Sequence, residues 1–276
     1  MLRFPPEFPP SFAFACGDDE FGIWTDLSIS SICQRFRWIE PGEFLMGSPT
    51  IEIGHQNREH PQHRVRITQG FWLADTACTQ EFWLAVVGGK NPAHFKDNLQ
   101  NPVEQVSWDD VNKRFLVSLN GVLPDKLEAV LPNEAQWEYA CRAGTLLPFN
   151  FGVIIVPEKV NFDGNFPYAG ALKGQNRECT VPVKSMSPND WGLYEMHGNV
   201  WEWCRDGLRK YVDETVRNPE GQADGARALR GGSWFHDAAS ARAAHRIARS
   251  PAYCQNNFGF RLLIRPRGSG SNTTKT

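Results

Sequence analysis

The sequence predicts an α+β fold that is rich in loops, with short antiparallel strands and a few short helices. Three observations predict this class. Stretches near the N-terminus alternate apolar and polar residues, as strands with one solvated face do. Several hydroxyl- or amide-bearing residues stand where they could begin short helices. Glycine (24), proline (19) and tryptophan (10) are abundant, which is typical of irregular backbone held by large aromatic side chains.

The predicted strands come first in the chain. Residues 21–24 and 33–39 alternate apolar and polar side chains. The turn at residues 40–43 predicts a hairpin between the second stretch and residues 44–47. Residues 65–73 continue as strand.

Short helices follow the strands. Thr79 can cap a first helix. Ser107 with Asp110, and Asn133 with Gln136, place a capping residue three positions before a side chain that can return the hydrogen bond. This arrangement predicts two further helices, the last of which ends before residue 144.

Composition and charge limit the classes of function that the chain can have. With 29 basic and 31 acidic side chains and a net charge of -2, the chain has no electrostatic footprint for nucleic acid. Roughly eighteen consecutive apolar residues would mark a membrane span, and no such run exists. The seven cysteines include no CxxC pair, so we expect reduced thiols. Without a signal peptide pattern at the N-terminus, we expect a cytoplasmic protein.

The segment from residue 229 to residue 261 is the candidate functional region. Gly231 and Gly232 open it before a serine and a tryptophan, and Gly259 closes it between two phenylalanines. Between them, residues 235–257 show neither strand nor helix periodicity. We therefore predict an irregular loop whose side chains are displayed between two buried anchors.

Two other segments suggest oxygen-ligated metal. Residues 161–168 place Asn and Asp beside glycine, which fits either calcium ligation or an ordinary Asx turn. Glu195 and Glu202 stand among tryptophans, where a carboxylate is costly unless it is paired or bound to a cation. His55, His60 and His63 match no common ligand spacing and predict a solvated loop instead.

Six segments, taken in order, resemble the formylglycine-generating enzyme family, also called the sulfatase-modifying factor domain. They are residues 39–48, 102–108, 131–139, 198–203, 229–234 and 259–261. The resemblance implies a C-type-lectin-like fold. It divides the chain into an N-terminal extension (1–33), the family domain (34–267) with a candidate variable region (231–261), and a disordered tail (268–276).

The family carries two structural Ca²⁺ sites, and the resemblance implies their ligands here. The first would use Asn161 and the carbonyl of Phe162. The second would use the following four residues: Glu195, Gly198 and Val200 through their carbonyls, and Glu202. At the position of Glu195 the family often has Asn or Asp.

The family's catalytic cysteines are missing. Its enzymes hold copper with two cysteines just after the Gly-Gly-Ser-aromatic turn, and Cu(I) requires such soft thiolates. The matching positions here are His236 and Ala241, and Cys254 stands alone farther on. We therefore expect no copper and no formylglycine-generating activity.

The same region is also similar to the variable proteins of diversity-generating retroelements, whose loop forms a ligand-binding surface on this fold. The resemblance implies a non-catalytic protein that binds a protein or peptide ligand. The predicted contact residues are Phe235, His236, Asp237, Ala239, Ser240, His245, Ile247, Arg249 and Tyr253.

Two alternatives remain open from the sequence. One is a metal-dependent oxidase or other enzyme of altered chemistry, with His236, Asp237 or His245 as acid or base. The other is a scaffold component of a larger system, in which the N-terminal extension would dock. The sequence predicts neither the identity of the ligand nor the oligomeric state.

Overall fold

The computed structural model describes residues 4–222 and 224–268. Its strands are β1 (Ala15–Asp19), β2 (Gly22–Ile29), β3 (Ile32–Ile39), β4 (Gly42–Met46), β5 (His63–Ile67), β6 (Phe71–Ala74), β7 (Leu127–Val130), β8 (Trp201–Trp203), β9 (Val216–Arg217), β10 (Arg227–Arg230), β11 (Arg246–Arg249), β12 (Phe258–Phe260) and β13 (Leu263–Pro266). Its helices are α1 (Gln80–Val87), α2 (Trp108–Asp110), α3 (Leu116–Asn120) and α4 (Glu134–Arg142), with a π-helical turn (Val111–Phe115) between α2 and α3. The predicted disordered tail lies outside the described residues, apart from Gly268.

The largest sheet has the strand order β1-β2-β3-β6-β13-β7, and all neighbours in it are antiparallel. Its first two strands come from the predicted N-terminal extension, so residues 15–29 continue the sheet of the domain. The predicted hairpin between β3 and β4 is wrong. β3 pairs with β2 and β6, whereas β4 pairs with β5 in a separate three-stranded sheet. The turn at residues 40–43 therefore carries the chain from one sheet to another.

A four-stranded sheet positions the candidate functional region. Its order is β11-β10-β8-β12, with β8 antiparallel to β10 and parallel to β12. The strand that enters the C-terminal loop and the strand that leaves it therefore lie on opposite sides of β8. Both ends of the loop are fixed by backbone pairing to one central strand.

The helix starts follow the predicted capping residues. Thr79 accepts a hydrogen bond from the amide of Phe82, and Ser107 and Asn133 each form a complete capping box. These predictions are confirmed, because a cap depends on neighbours in sequence and not on distant packing. Helix α4 then places Trp137 and Cys141 in the core.

A small separate core supports the C-terminal loop from below. Its aromatic members include Phe149, Phe162 and Tyr168, and they pack against Ala238 and Ala241 of the loop itself. The two alanines allow the loop backbone to lie close to the rings. The loop is thus fixed by buried apolar contacts in its middle as well as by β10 and β12 at its ends.

Candidate functional site

Two glycines set the entry of the C-terminal loop. Gly231 and Gly232 have φ of 96° and 75°, a left-handed conformation that favours glycine. A side chain on Gly232 would begin 2.9 Å from the Cα of Ala241. The entry therefore needs glycine for its backbone angles and for its close contact with the far side of the loop.

The predicted contact residues divide into exposed and buried groups. Phe235 is 64% exposed and Tyr253 is 40% exposed, and Asp237 and Arg249 are also exposed. His236, Ala239 and Ser240 are half-buried. In contrast, His245 and Ile247 are only 6% and 8% exposed. The prediction that this whole run is displayed is wrong, because residues 241–247 are buried and include part of β11.

Arg242 explains why the middle of the loop is buried. Its guanidinium binds both carboxylate oxygens of Glu59 at 2.8 Å and one oxygen of Glu52 at 2.6 Å. It also donates to the carbonyl of Gly54 at 2.5 Å. Burial alone would raise the pKa of Glu59, but the hydrogen bonds from Arg242 lower it overall. Arg242 therefore joins the C-terminal loop to residues 52–59, an interaction that no local sequence pattern predicts.

His236 lies over Trp201 with a defined ring orientation. Its Nδ1 accepts hydrogen bonds from the Ser233 hydroxyl at 2.8 Å and the Trp201 indole N–H at 3.2 Å. An imidazole nitrogen that accepts from an indole N–H is unprotonated, so the proton of the neutral ring is on Nε2. Burial and the nearby Arg249 lower the pKa of His236. The neutral His236 ring therefore has its Nδ1 occupied by Ser233 and Trp201 and carries its proton on Nε2.

The other groups proposed for acid–base chemistry are also engaged elsewhere. Oδ1 of Asp237 accepts from the amide of Ser240 at 2.9 Å and from its hydroxyl at 2.6 Å, which caps the 3-10 turn at Ala238–Ala241. Burial lowers the pKa of His245 to about 3, and the charge of Arg242 adds to this effect. Nδ1 of His245 lies 3.7 Å from Glu59, but both oxygens of that carboxylate are bound by Arg242, so the two side chains are not hydrogen-bonded as a catalytic dyad.

One of the two positions that match the family's copper ligands, Ala241, contacts the buried His197. The carbonyl of Ala241 accepts from Nδ1 of His197 at 2.6 Å. The thiol of Cys141 is 3.7 Å from Nε2 of the same ring, and burial raises the pKa of this thiol far above its usual range. Cys141 is therefore a protonated core residue, unsuited to bind metal as a thiolate.

The three histidines of the 55–63 segment do not form a metal site. Within residues 4–222 and 224–268, no three His, Cys, Asp or Glu side chains come together as metal ligands. The prediction that this segment is solvated is wrong for His63, which is 3% exposed and packs on Tyr211 with ring centroids 4.6 Å apart.

The residues implied for the first calcium site fit a cation. Asn161 is 1% exposed, and its side-chain oxygen is buried with no hydrogen-bond partner in the described part of the chain. Its amide nitrogen instead donates to Asn199, and its backbone carbonyl accepts from the amide of Asn199. Asn199, which sequence reasoning missed, thus fixes Asn161 with a free oxygen beside Phe162, and calcium takes oxygen ligands of this kind.

The residues implied for the second calcium site are arranged differently. Glu202 forms an ion pair with Arg261 at 2.9 Å and accepts from the indole of Trp137 at 2.7 Å. The oxygens of Glu195 accept from the amides of Lys184 and Met186, and burial raises the pKa of Glu195 to about 7. Both carboxylates are therefore already satisfied by N–H donors, and this donor set does not fit calcium as it stands. Gly198 and Val200 follow in the same turn, where a side chain on Gly198 would begin 2.4 Å from the carbonyl of Asn161.

Glu104 is a second residue that sequence reasoning missed. One of its oxygens accepts from the amides of His94 and Phe95 at 2.6 and 2.9 Å, and the other is buried without a partner among the described residues. Phe95 contacts Trp234 edge to face, with ring centroids 5.4 Å apart. Glu104 therefore holds the loop that packs against the entry of the C-terminal loop.

Burial raises the pKa of Glu104 to about 7, which predicts a pH-dependent stability. The folded state holds this proton more tightly than the unfolded state, so stability falls as pH rises from about 4.5 to 7, by up to about 3 kcal/mol. Glu104→Gln keeps the accepting oxygen but has no titrating proton. The part of the pH-dependent loss of stability that comes from Glu104 is therefore expected to vanish in this variant. Urea unfolding at pH 5 and pH 8 would measure it, with exposed Glu158→Gln as the control. An unchanged pH dependence in Glu104→Gln would contradict the prediction.

Comparison with known proteins places the chain in a family. A family model described as the sulfatase-modifying factor enzyme 1-like domain matches residues 30–266. The chain belongs to this family. The resemblance found in the motifs and the predicted C-type-lectin-like α+β fold are thereby confirmed.

Relatives and solved structures agree with this assignment. The formylglycine-generating enzyme of Streptomyces coelicolor is 32% identical over 203 residues, which cover 67% of this chain and 62% of the relative. The inactive C-alpha-formylglycine-generating enzyme 2 of Bos taurus is 32% identical over 178 residues, or 60% of this chain and 51% of the relative. The chain therefore spans less than two thirds of the length of these relatives.

The structure of Treponema denticola variable protein 1 superposes with a TM-score of 0.75 and 24% identity, covering 88% of this chain and 99% of that chain. At this identity the likeness concerns the fold alone. No helix in the described part of the chain is long and apolar enough to cross a membrane.

Proposed function

We propose that this chain is a non-catalytic ligand-binding protein that uses its C-terminal loop as the contact surface. The observation that supports the proposal is which residues the loop contains and which of them are exposed. His236 and Ala241 stand where the family's enzymes have copper-binding cysteines, while Phe235 and Tyr253 are exposed on a rigidly anchored backbone. Exposed aromatic side chains on a fixed scaffold are typical anchors of a binding surface.

Two neighbouring loops extend the proposed surface. The carbonyl of Phe166 accepts from the amide of Ala238, and the hydroxyl of Tyr168 donates to the carbonyl of Ile53 at 2.7 Å. The first contact holds the loop of Phe166 against the C-terminal loop, and the second joins that loop to the segment of Ile53, whose neighbour Gly54 accepts from Arg242. Phe166 and Ile53 are 61% and 57% exposed, so apolar side chains from three loops are presented together.

The comparisons support the proposal without deciding it. One relative is named an inactive enzyme, and one structural neighbour is named a variable protein. Diversification of residues 235–257 by a retroelement, and a location in the cytoplasm, are finer parts of the proposal. A near-copy of the codons for residues 231–261 beside a reverse transcriptase gene would support diversification, and its absence would refute that part alone.

Alanine substitution of Phe235 and of Tyr253 tests the proposed surface. Each change is expected to weaken binding of a partner isolated with the native protein by about 30-fold, or about 2 kcal/mol, because each removes an exposed aromatic anchor. Binding would be measured by titration calorimetry. Val117→Ala, at a site 63% exposed on α3, is the matched control. Unchanged affinity in both loop variants would refute the proposal.

We further propose a structural calcium ion at Asn161 and the carbonyl of Phe162. The proposal is limited to this first site because Glu195 and Glu202 already have N–H partners. At a calcium concentration of 100 times Kd, the ion would add about 2.7 kcal/mol to the stability of the folded state. Chelation with EGTA is expected to lower the melting temperature of the native protein and to leave Asn161→Ala unaffected. A chelation response of equal size in Asn161→Ala would contradict it.

A further inference from the structure

Two exposed arginines, one in the C-terminal loop and one beside it, have no ion-pair partner among the described residues. Arg249 ends β11 and donates to the carbonyl of Ala248, and Arg58 donates to the side chain of Gln56. In the part of the chain that the structure describes, neither guanidinium forms an ion pair. Both side chains are exposed to solvent.

The strand register makes the charge of Arg249 unfavourable for folding. Arg249 lies directly opposite Arg227 in the antiparallel pair of β10 and β11. Like charges at directly opposed positions destabilise a sheet. Arg227 is buried with its guanidinium 4.4 Å from the ring centre of Trp108, so it cannot turn away easily. The protein therefore keeps a positive charge at a position where the fold alone favours a neutral residue.

Among the described residues, the nearby acids form no ion pair with Arg58 or Arg249. Glu59 and Glu134 are buried in ion pairs with Arg242 and Arg246. Asp237 is exposed, but one of its oxygens caps the 3-10 turn. A hydrogen bond of 2.9 Å from Arg246 to the carbonyl of Arg58 fixes that segment against β11. Burial lowers the pKa of Arg58, and the charges of Arg246 and Arg249 add to this effect, so Arg58 and Arg249 are near enough to repel.

We propose that Arg58 and Arg249, with the Nε2–H of His236, recognise carboxylates of an acidic protein or peptide segment. This inference rests on the proposed function and names the chemistry of its ligand. Guanidinium groups match carboxylates in geometry and charge. Phe235 and Tyr253 are exposed on the same loop, so the segment would also carry apolar or aromatic residues. A nucleic-acid backbone is a poorer fit, because the chain has a net charge of -2 and only two unpaired arginines here.

The probe is a synthetic peptide, Glu-Glu-Phe-Glu-Glu with blocked ends, compared with its glutamine counterpart Gln-Gln-Phe-Gln-Gln. Titration would follow the side-chain Nε–H signals of Arg58 and Arg249 by NMR. The glutamate peptide is expected to bind at least about 10-fold more tightly than the glutamine peptide, and Arg249→Met to weaken it about 5- to 10-fold. Arg217→Met, at an exposed arginine on β9, is expected to change nothing. Arg249→Met is also expected to raise the urea midpoint, which separates lost recognition from lost folding.

Each other outcome has a defined meaning. Equal binding of the two peptides, unchanged binding by Arg249→Met, or no binding of the glutamate peptide at a few millimolar would overturn the inference. If Phe235→Ala weakens binding of both peptides while Arg249→Met has no effect, the proposed binding surface is supported and its preference for acidic ligands is refuted. If neither substitution affects binding of the isolated partner or the peptides, the proposed function fails as well. If inorganic phosphate saturates the same signals with equal affinity, the inference of an acidic peptide is overturned and the ligand is a phosphate.

Discussion

Replacing Arg230 by methionine is expected to lower the free energy of unfolding by about 3 to 5 kcal/mol. The Arg230 side chain is fully buried and forms an ion pair with Glu138. It also donates to the carbonyls of Ala244 and His245 at 2.8 and 2.5 Å. Methionine would leave Glu138 buried with Arg142 as its remaining cation. Urea unfolding followed by tryptophan fluorescence measures the loss.

A surface arginine provides the control for this experiment. Arg66 pairs with Glu43 at 2.5 Å, and its side chain is 48% exposed. Because exposed ion pairs contribute little, Arg66→Met is expected to cost no more than about 1 kcal/mol. Similar losses in the two variants would mean that burial does not determine the importance of Arg230.

The second large effect is expected at Arg242. Arg242→Met removes the only guanidinium that contacts both Glu52 and Glu59 in the described chain, and it is expected to cost about 3 to 5 kcal/mol. It should also release residues 49–62 from the C-terminal loop. Limited proteolysis, which cleaves segments that have lost their contacts, would detect that release alongside urea unfolding.

A double variant separates the loss of an ion pair from general disruption. In Arg242→Met/Glu59→Gln the buried carboxylate of Glu59 is neutral, so part of the stability lost in Arg242→Met is expected to return. If the double variant is no more stable than Arg242→Met alone, an uncompensated buried charge is not the cause of the loss.

The sequence predicted the features that depend on adjacent residues. The caps at Thr79, Ser107 and Asn133 are confirmed because each is satisfied within one helical turn. The fold class and the family were also predicted correctly, since they rest on motifs that occur in order along the chain. Strand pairing was harder. Nothing local distinguishes a β3–β4 hairpin from two strands that belong to different sheets.

The candidate site was predicted only in outline. The exposure of Phe235 and Tyr253 agrees with the predicted contact surface, but His245 and Ile247 are buried. Their burial follows from contacts such as Arg242 with Glu59, which are 183 residues apart in sequence. Period-based reasoning cannot detect a pairing at this separation. Glu104 and Asn199 were missed because their partners are backbone amides of irregular loops, which leave no periodic or capping pattern in the sequence.

The arginines inside the C-terminal loop limit how freely that loop can evolve. Arg242 and Arg246 each neutralise a buried glutamate outside the loop, so a library that randomised residues 235–257 without restriction would consist mostly of unfolded members. Variation confined to the exposed positions would leave those pairs intact. Among those positions are Phe235, Asp237, Arg249 and Tyr253. For an engineer, the chain is therefore a display scaffold whose loop carries its own fixed positions, and new specificities should be sought around them.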